Sequence, residues 1–299
     1  MLLAHAVDHA QIKRLLYRCL ERQLSQDALN WLNEKLKQIA SEASERSLFA
    51  TFSAISRRTG KQDLHLLPNE QQAAFDLCLG WSPEHWSVDQ AARTVLLLTF
   101  PHQVANRYHK AITTLFSTAD VNELVVLYQS LPILPHPETF LPQAADGLRT
   151  HMSPVFNAIA LNNPYPAEFF DTPRWNQMVL KALFVGSPLS QIWGLDQRAN
   201  IELARMLVDY AHERWAAKRP IDPELWRPVG PFITEANLPD LERIFANPDP
   251  TQQKAAALAC SQANLPQARS LLSQHPNLQA AIDAGDLSWN SLYGVTVDG

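Results

Sequence analysis

Arg205, Asp209 and His212 stand at i, i+4 and i+7 in the chain. On a helix that spacing lines a guanidinium, a carboxylate and an imidazole along the flank of an apolar face made of Ala204, Leu207, Val208, Ala211 and Trp215. A half-buried histidine beside a carboxylate can move a proton, with Asp209 orienting the ring and His212 acting as general acid or base. The same side chains can equally brace a solvated helix through Arg205–Asp209 and Asp209–His212 pairs, since structural ion pairs imitate sites. Asp209 and Glu213, again four apart, could bring two carboxylates to one cleft. Nothing in the sequence places a nucleophile beside them.

Two more polar sets lie upstream. In Asn163-Pro164-Tyr165-Pro166-Ala167-Glu168 each proline biases its predecessor away from the α region, which predicts a rigid extended corner at Asn163 and Tyr165. Such a corner either offers an amide, a phenol and a carboxylate to a ligand or simply connects two helices with its tyrosine in the core. A helix predicted over 173–184 carries Trp175, Met178, Val179, Ala182 and Leu183 on one face, widened past half the circumference by Leu180 and Phe184. Asn176 falls inside that arc, so its amide needs an internal partner or a ligand. Lys181 shares the narrow polar strip with Arg174 and Gln177. The candidate binding residues are therefore Asn163, Tyr165, Glu168, Asn176, Lys181, Arg205, Asp209 and His212, and no catalytic residue is assigned.

Common catalytic signatures are missing. The chain has no G-x-G-x-x-G, no Walker A lysine motif, no G-x-S-x-G, no H-E-x-x-H and no D-D-x-x-D, which removes the backbone cradles and metal ligands those chemistries require. His5 and His9 bracket Asp8 at i, i+4 but lack a third distant ligand, so neither metal nor other cofactor is expected.

The elements that must position these residues are helices. Residues 1 to 59 contain neither Gly nor Pro, and Ile12, Leu15, Leu16, Cys19 and Leu20 form one amphipathic stripe. Leu29, Leu32, Leu36 and Ile39 repeat the pattern after Ser25, a predicted N-cap. Further on, Ser87-x-x-Gln90 and Asp120-x-x-Glu123 have the form of capping boxes. Ser153-Pro154, Thr172-Pro173, Asp222-Pro223 and Asp249-Pro250 put a capping side chain before a proline at the first helical position. Asn237-Leu-Pro and Asn264-Leu-Pro recur at an offset of 27, suggesting two Asn-capped helical units. The expected fold is all-α, a superhelical or α-solenoid-like array of short helical hairpins. The proline-rich stretch 131–150 predicts a boundary between an N-terminal helical region, 1–148, and a C-terminal one, 149–299, unless both form one continuous domain.

Composition agrees. With 9 Gly against 21 Pro, short proline-started helices are favoured over Gly-rich turns. The net charge of −5 has the wrong sign for a nucleic-acid binder, and no apolar run reaches the roughly 20 residues of a membrane span. The N-terminus lacks a signal-peptide pattern, and the 3 Cys are scattered without a C-x-x-C, so a reducing, cytoplasmic setting is expected.

Asn163-Pro-Tyr-Pro-Ala-Glu168, Trp175-Asn-Gln-Met-Val-Leu-Lys-Ala182, Gly194-Leu-Asp196 with Arg198-Ala-Asn200, and the run from Leu203 to Trp215 resemble the EboA family of metabolite-traffic proteins. The resemblance covers about residues 151–235. It implies a bacterial, cytoplasmic protein from a gene cluster that moves or processes secondary-metabolite precursors, beside prenyl-lipid and sugar-type enzymes, and it transfers no catalytic residue. The expected function is a helical scaffold or small-molecule carrier whose partners are a metabolite precursor or proteins of the same cluster. The alternative is an enzyme acting on an apolar metabolite, with His212 and Asp209 as acid–base pair.

Overall fold

The computed structural model describes residues 7–293. Among them every regular element is helical, and the sole β feature is an isolated bridge between Asp63 and Ser87. The chain divides after Asp171 into two compact units.

The first unit holds α1 (His9–Gln23), α2 (Gln26–Glu42), α3 (Glu45–Thr59), α4 (Pro68–Leu77), α5 (Val88–Thr99), α6 (Ala105–Thr118), α7 (Val121–Ser130), α8 (Leu141–Leu148), α9 (Ser153–Ala160) and α10 (Tyr165–Phe169). The predicted stripe of α1 is buried from Ile12 to Leu20, and Ser25 caps α2 by accepting from the Ala28 N–H. Its centre is α5, buried along almost its whole length and packed by α1, α2, α3 and α7. The mostly apolar surface of α5 makes it an interior helix, with Asp89, Arg93 and Thr94 buried among the apolar residues. The proline-rich stretch expected to divide the chain lies inside this unit. Its prolines open two 3-10 turns, Leu131–Ile133 and Pro137–Phe140, whose Leu131, Ile133 and Phe140 are core residues. Hydrophobic burial makes the stretch part of the packing where proline content alone suggested a linker.

The second unit holds α11 (Thr172–Val185), α12 (Ile201–Ala216), α13 (Leu238–Phe245), α14 (Pro250–Gln262), α15 (Pro266–Ser273) and α16 (Pro276–Asp283), with 3-10 turns at Leu189–Gln191, Pro223–Trp226, Gly230–Phe232 and Glu235–Asn237. Its centre is α14, in which Ala255 through Cys260 are all buried against α13, α15, α16 and two of those turns. Gly230 is small for a reason. A Cβ there would come within 3.1 Å of the Ala259 Cα on α14.

Prolines in the first turn start α4, α8, α9, α10, α13, α14, α15 and α16, where the missing N–H costs nothing. Asp120 and Glu123 close the reciprocal capping box at 2.9 and 3.1 Å. Asp249 caps α14 through the Thr251 N–H, and Asp222 caps its 3-10 turn through that of Glu224. Four expected caps differ, the first being Thr172, which is the first helical residue of α11 and not the residue before it. Met152, not Ser153, occupies the cap position of α9. The Asn237 side chain turns back to accept from Thr234, and Leu265 precedes α15 in place of Asn264. In the first Asn-Leu-Pro motif Asn237 holds the cap position without a side-chain cap bond and α13 starts at Leu238, whereas in the second the proline itself starts α15.

Candidate functional site

The sequence-predicted residues divide between the units: Asn163, Tyr165 and Glu168 belong to the first, and Asn176, Lys181, Arg205, Asp209 and His212 to the second. In the first, Asn162 enters the left-handed region at φ 50° and ends the preceding segment. Asn163 then turns its buried amide inward. Its Nδ2 donates to the carbonyls of Tyr128 and Ala158 at 3.1 and 2.9 Å, and its Oδ1 accepts from the Tyr165 N–H at 3.0 Å. One amide thus ties α7, α9 and the start of α10. Tyr165 is fully buried and donates its hydroxyl to the Pro137 carbonyl at 2.8 Å. It lies in α10, not in the extended conformation its following proline predicted; a first-turn proline is compatible with helix. Glu168 alone of the three is exposed, and partial desolvation raises its carboxyl above the ordinary range.

In the second unit α11 buries Trp175, Asn176, Met178, Val179, Ala182 and Leu183 as its periodicity predicted. Phe184 does not extend that arc: it is 77% exposed. Asn176 finds its partner in Asn200, the N-cap of α12. The two amides donate to each other at 3.2 and 2.9 Å while Asn200 Oδ1 also accepts from the Leu203 N–H. Asn200 thereby fixes where α12 begins relative to α11. Arg198 stands over the Trp175 ring, 4.8 Å from its centroid. Lys181 is half-buried, and desolvation lowers its ammonium below the usual value.

On α12 the buried residues are Leu203, Ala204, Leu207 and Ala211, whereas Val208 and Trp215 are only half-buried. Leu203 shifts the core face around the helix, so Arg205 and Asp209 fall nearly opposite it. Their side chains are 64% and 60% exposed, and Arg205 is held by Asp209 and Glu202, each at 3.3 Å. His212 pairs elsewhere: its Nε2 lies 2.8 Å from Oδ1 of Asp240 on α13. The expected His212–Asp209 pair is thus replaced by His212–Asp240. The i, i+3 spacing that suggested the former says nothing about a carboxylate arriving from a later helix. Asp240 is largely buried and its Oδ2 has no hydrogen-bond partner among the described residues. Around the pair, the His212 ring sits 5.8 Å from Trp215, Trp215 stacks with Trp226 at 6.2 Å, and Arg243 covers Trp215 at 4.3 Å.

Sequence reading missed Asp240 and Arg243. The available signal was their i, i+3 spacing on the strongly amphipathic α13, but nothing in sequence links them to His212. Candidate metal and thiol chemistry also takes definite form. His5 lies outside the described residues, Asp8 is engaged as the N-cap of α1, and the His9 ring meets that of His102 at 5.8 Å. Among the described residues no group of three or more His, Cys, Asp or Glu is arranged to hold a metal ion. Desolvation pushes the thiol of Cys19 up to about 11 and those of Cys78 and Cys260 up to about 12, so at neutral pH they are thiols rather than thiolate nucleophiles.

Comparison with known families settles the kinship. The family model described as metabolite traffic protein EboA matches residues 12–230. The chain belongs to the EboA family. The family match begins within α1, so it reaches far beyond the 151–235 block that carried the resemblance, through amphipathic helices whose stripes have no distinctive strings. Helices α13 to α16 lie beyond it, and with them Asp240. No curated protein and no solved structure matches the chain. No helix among the described residues is long and apolar enough to cross a membrane.

Proposed function

We propose that this EboA-family chain is a cytoplasmic, non-catalytic helical carrier or scaffold that holds a secondary-metabolite precursor, or the proteins that handle it, during traffic. The family description supports a role in metabolite traffic. The observation that carries the carrier reading is how the polar groups of the family-like block are spent. Asn163, Tyr165 and Asn176 are buried and hydrogen-bonded within their own units, and Arg205 and Asp209 brace each other in solvent. Of that block Glu168 and His212 remain as presented groups, and His212, half in solvent, is set between a nearly buried carboxylate and the Trp215–Arg243 stack. An aromatic face with one guanidinium and one imidazole binds flat or anionic surfaces through stacking and charge-assisted hydrogen bonds. Native purification followed by mass spectrometry of extracted small molecules and co-purifying proteins tests this. A species retained by wild type and lost from His212→Ala supports it; equal retention, with equal complementation of a metabolite phenotype, refutes it.

One observation favours a second reading. An imidazole 2.8 Å from a largely buried carboxylate is the arrangement that orients a general base, so His212 with Asp240 could move a proton on a bound metabolite through Nδ1. Chemical conversion of the extracted species by wild type, lost in both His212→Ala and Asp240→Asn, would select this reading over the carrier.

A further inference from the structure

The hairpin of α2 and α3, joined through Ala43 and Ser44, carries a groove of about 310 Å³ lined by Trp31, Lys35 and Gln38 from α2 and by Thr51, Ala54 and Arg58, among others, from α3. The volume is at the lower end of the range for small-molecule sites. Positions 31, 35 and 38 form one stripe of α2, and 51, 54 and 58 form one stripe of α3, so the two stripes face across the groove. Ala54 supplies a small side chain that leaves the space open, and Thr51 is buried in its wall.

The lining is chemically one-sided. It contains two cations and no carboxylate, on a chain whose net charge is −5. Arg58 lies 5.7 Å from the Trp31 ring centroid and makes no ion pair among the described residues. Lys35 holds the Gln38 amide oxygen at 3.3 Å and the exposed Glu34 carboxylate at 3.4 Å, both long contacts that a stronger acceptor can displace. A guanidinium over an indole, with an ammonium one turn along, offers a flat surface beside two positive donors. The family match spans these residues but its description names no site, and the His212 face belongs to the second unit.

We propose that the α2–α3 groove is a binding site for a small organic anion, a phosphate or carboxylate carried on a flat unsaturated body. The body lies against Trp31, the anionic head meets Arg58 and Lys35, and the Thr51 hydroxyl lines the wall beside it, while the Gln38 amide donates to Glu42 at 3.1 Å. The assignment stands apart from the traffic reading, because occupancy of this groove is measurable whatever the protein does in the cell.

Titration of the full chain with 1-naphthyl phosphate, 1-naphthoate, 1-naphthol and inorganic phosphate by isothermal calorimetry tests it. One or both naphthyl anions should bind, and which of them binds more tightly names the head group; 1-naphthol and inorganic phosphate should bind far more weakly. Lys35→Gln and Arg58→Gln should each weaken the anion by about tenfold, and Lys37→Gln, an exposed cation off the groove, should leave it unchanged. Trp31→Leu should weaken the naphthyl anions while leaving the feeble binding of inorganic phosphate as it was. Circular dichroism keeps the test sound, since the charge variants alter partly exposed side chains and should retain the wild-type spectrum. Failure of both anions to bind wild type at millimolar concentration, or affinities indifferent to Lys35 and Arg58 in folded variants, overturns the proposal.

Discussion

Asp89 and Arg93, one turn apart on α5, form an ion pair at 2.7 Å with side chains only 4% and 3% exposed. Arg93 Nε also donates to the Phe52 carbonyl of α3 at 2.9 Å, and its guanidinium lies 3.9 Å from Glu123 of α7. One arginine thus pairs with Asp89, lies within ion-pair range of Glu123 and satisfies a carbonyl in the middle of the first unit. Removing it strands charge in the core, which costs more than the pair itself contributes. Arg93→Leu should destabilise by about 3–5 kcal/mol. Asp89→Leu/Arg93→Leu should be more stable than Arg93→Leu alone, as urea unfolding of both would register.

The Asn176–Asn200 amide pair is a smaller version of the same arrangement. Asn176→Leu leaves Asn200 its cap bond to Leu203 and its Nδ2 bond to the Arg198 carbonyl at 3.1 Å, but removes the link to α11. The expected loss is about 1–3 kcal/mol. Asn200→Ser, which can still cap, should lose less than Asn200→Ala; thermal midpoints of the three variants decide it.

These two pairs mark how far sequence reaches. The helix class, the stripe of α1, the buried face of α11 and the Asp-Pro starts follow from periodicity and from proline geometry, both local properties. The need of Asn176 for a partner was also legible, because an amide inside an apolar arc must be satisfied. Its partner was not, since Asn200 lies across an irregular connection. Asp89 and Arg93 stand i, i+4 in the chain, a spacing that fits a solvated pair equally well, and only packing shows that they are buried. For His212 local spacing misled: Asp209 was near in sequence, while Asp240 is near in space.

Glu224 gives a pH signature. Its residue is 1% exposed; Oε2 accepts from the Ser190 N–H at 3.1 Å, and Oε1 is buried with no hydrogen-bond partner among the described residues. Desolvation, reinforced by the Asp222 charge and opposed by the Ser190 bonds, raises its carboxyl above the ordinary 4.5. A raised folded-state value means that the folded state binds the proton more tightly than the unfolded chain. Its contribution to stability is therefore complete below 4.5 and is lost as pH rises through the folded value. Glu224→Gln cannot ionise. The gap in thermal midpoint between Glu224→Gln and wild type should therefore grow in the variant's favour from pH 4.5 to 7.5, and a gap that stays constant would contradict this.

Asp209 and Asp240 make opposite predictions for the same histidine. Asp209 is exposed and engages Arg205, so Asp209→Asn should change stability by about 0–1 kcal/mol. His212→Ala leaves the largely buried Asp240 carboxylate without its imidazole. That should cost about 1 kcal/mol, toward the low end for an unpaired group because half of the ring already lies in solvent. A double-mutant cycle separates the two carboxylates. His212→Ala with Asp240→Asn should show a coupling of at least about 0.5 kcal/mol, whereas His212→Ala with Asp209→Asn should be additive within about that amount. Additivity in both cycles would mean that the 2.8 Å contact contributes nothing to the fold, and coupling to Asp209 instead would restore the pairing that local spacing suggested.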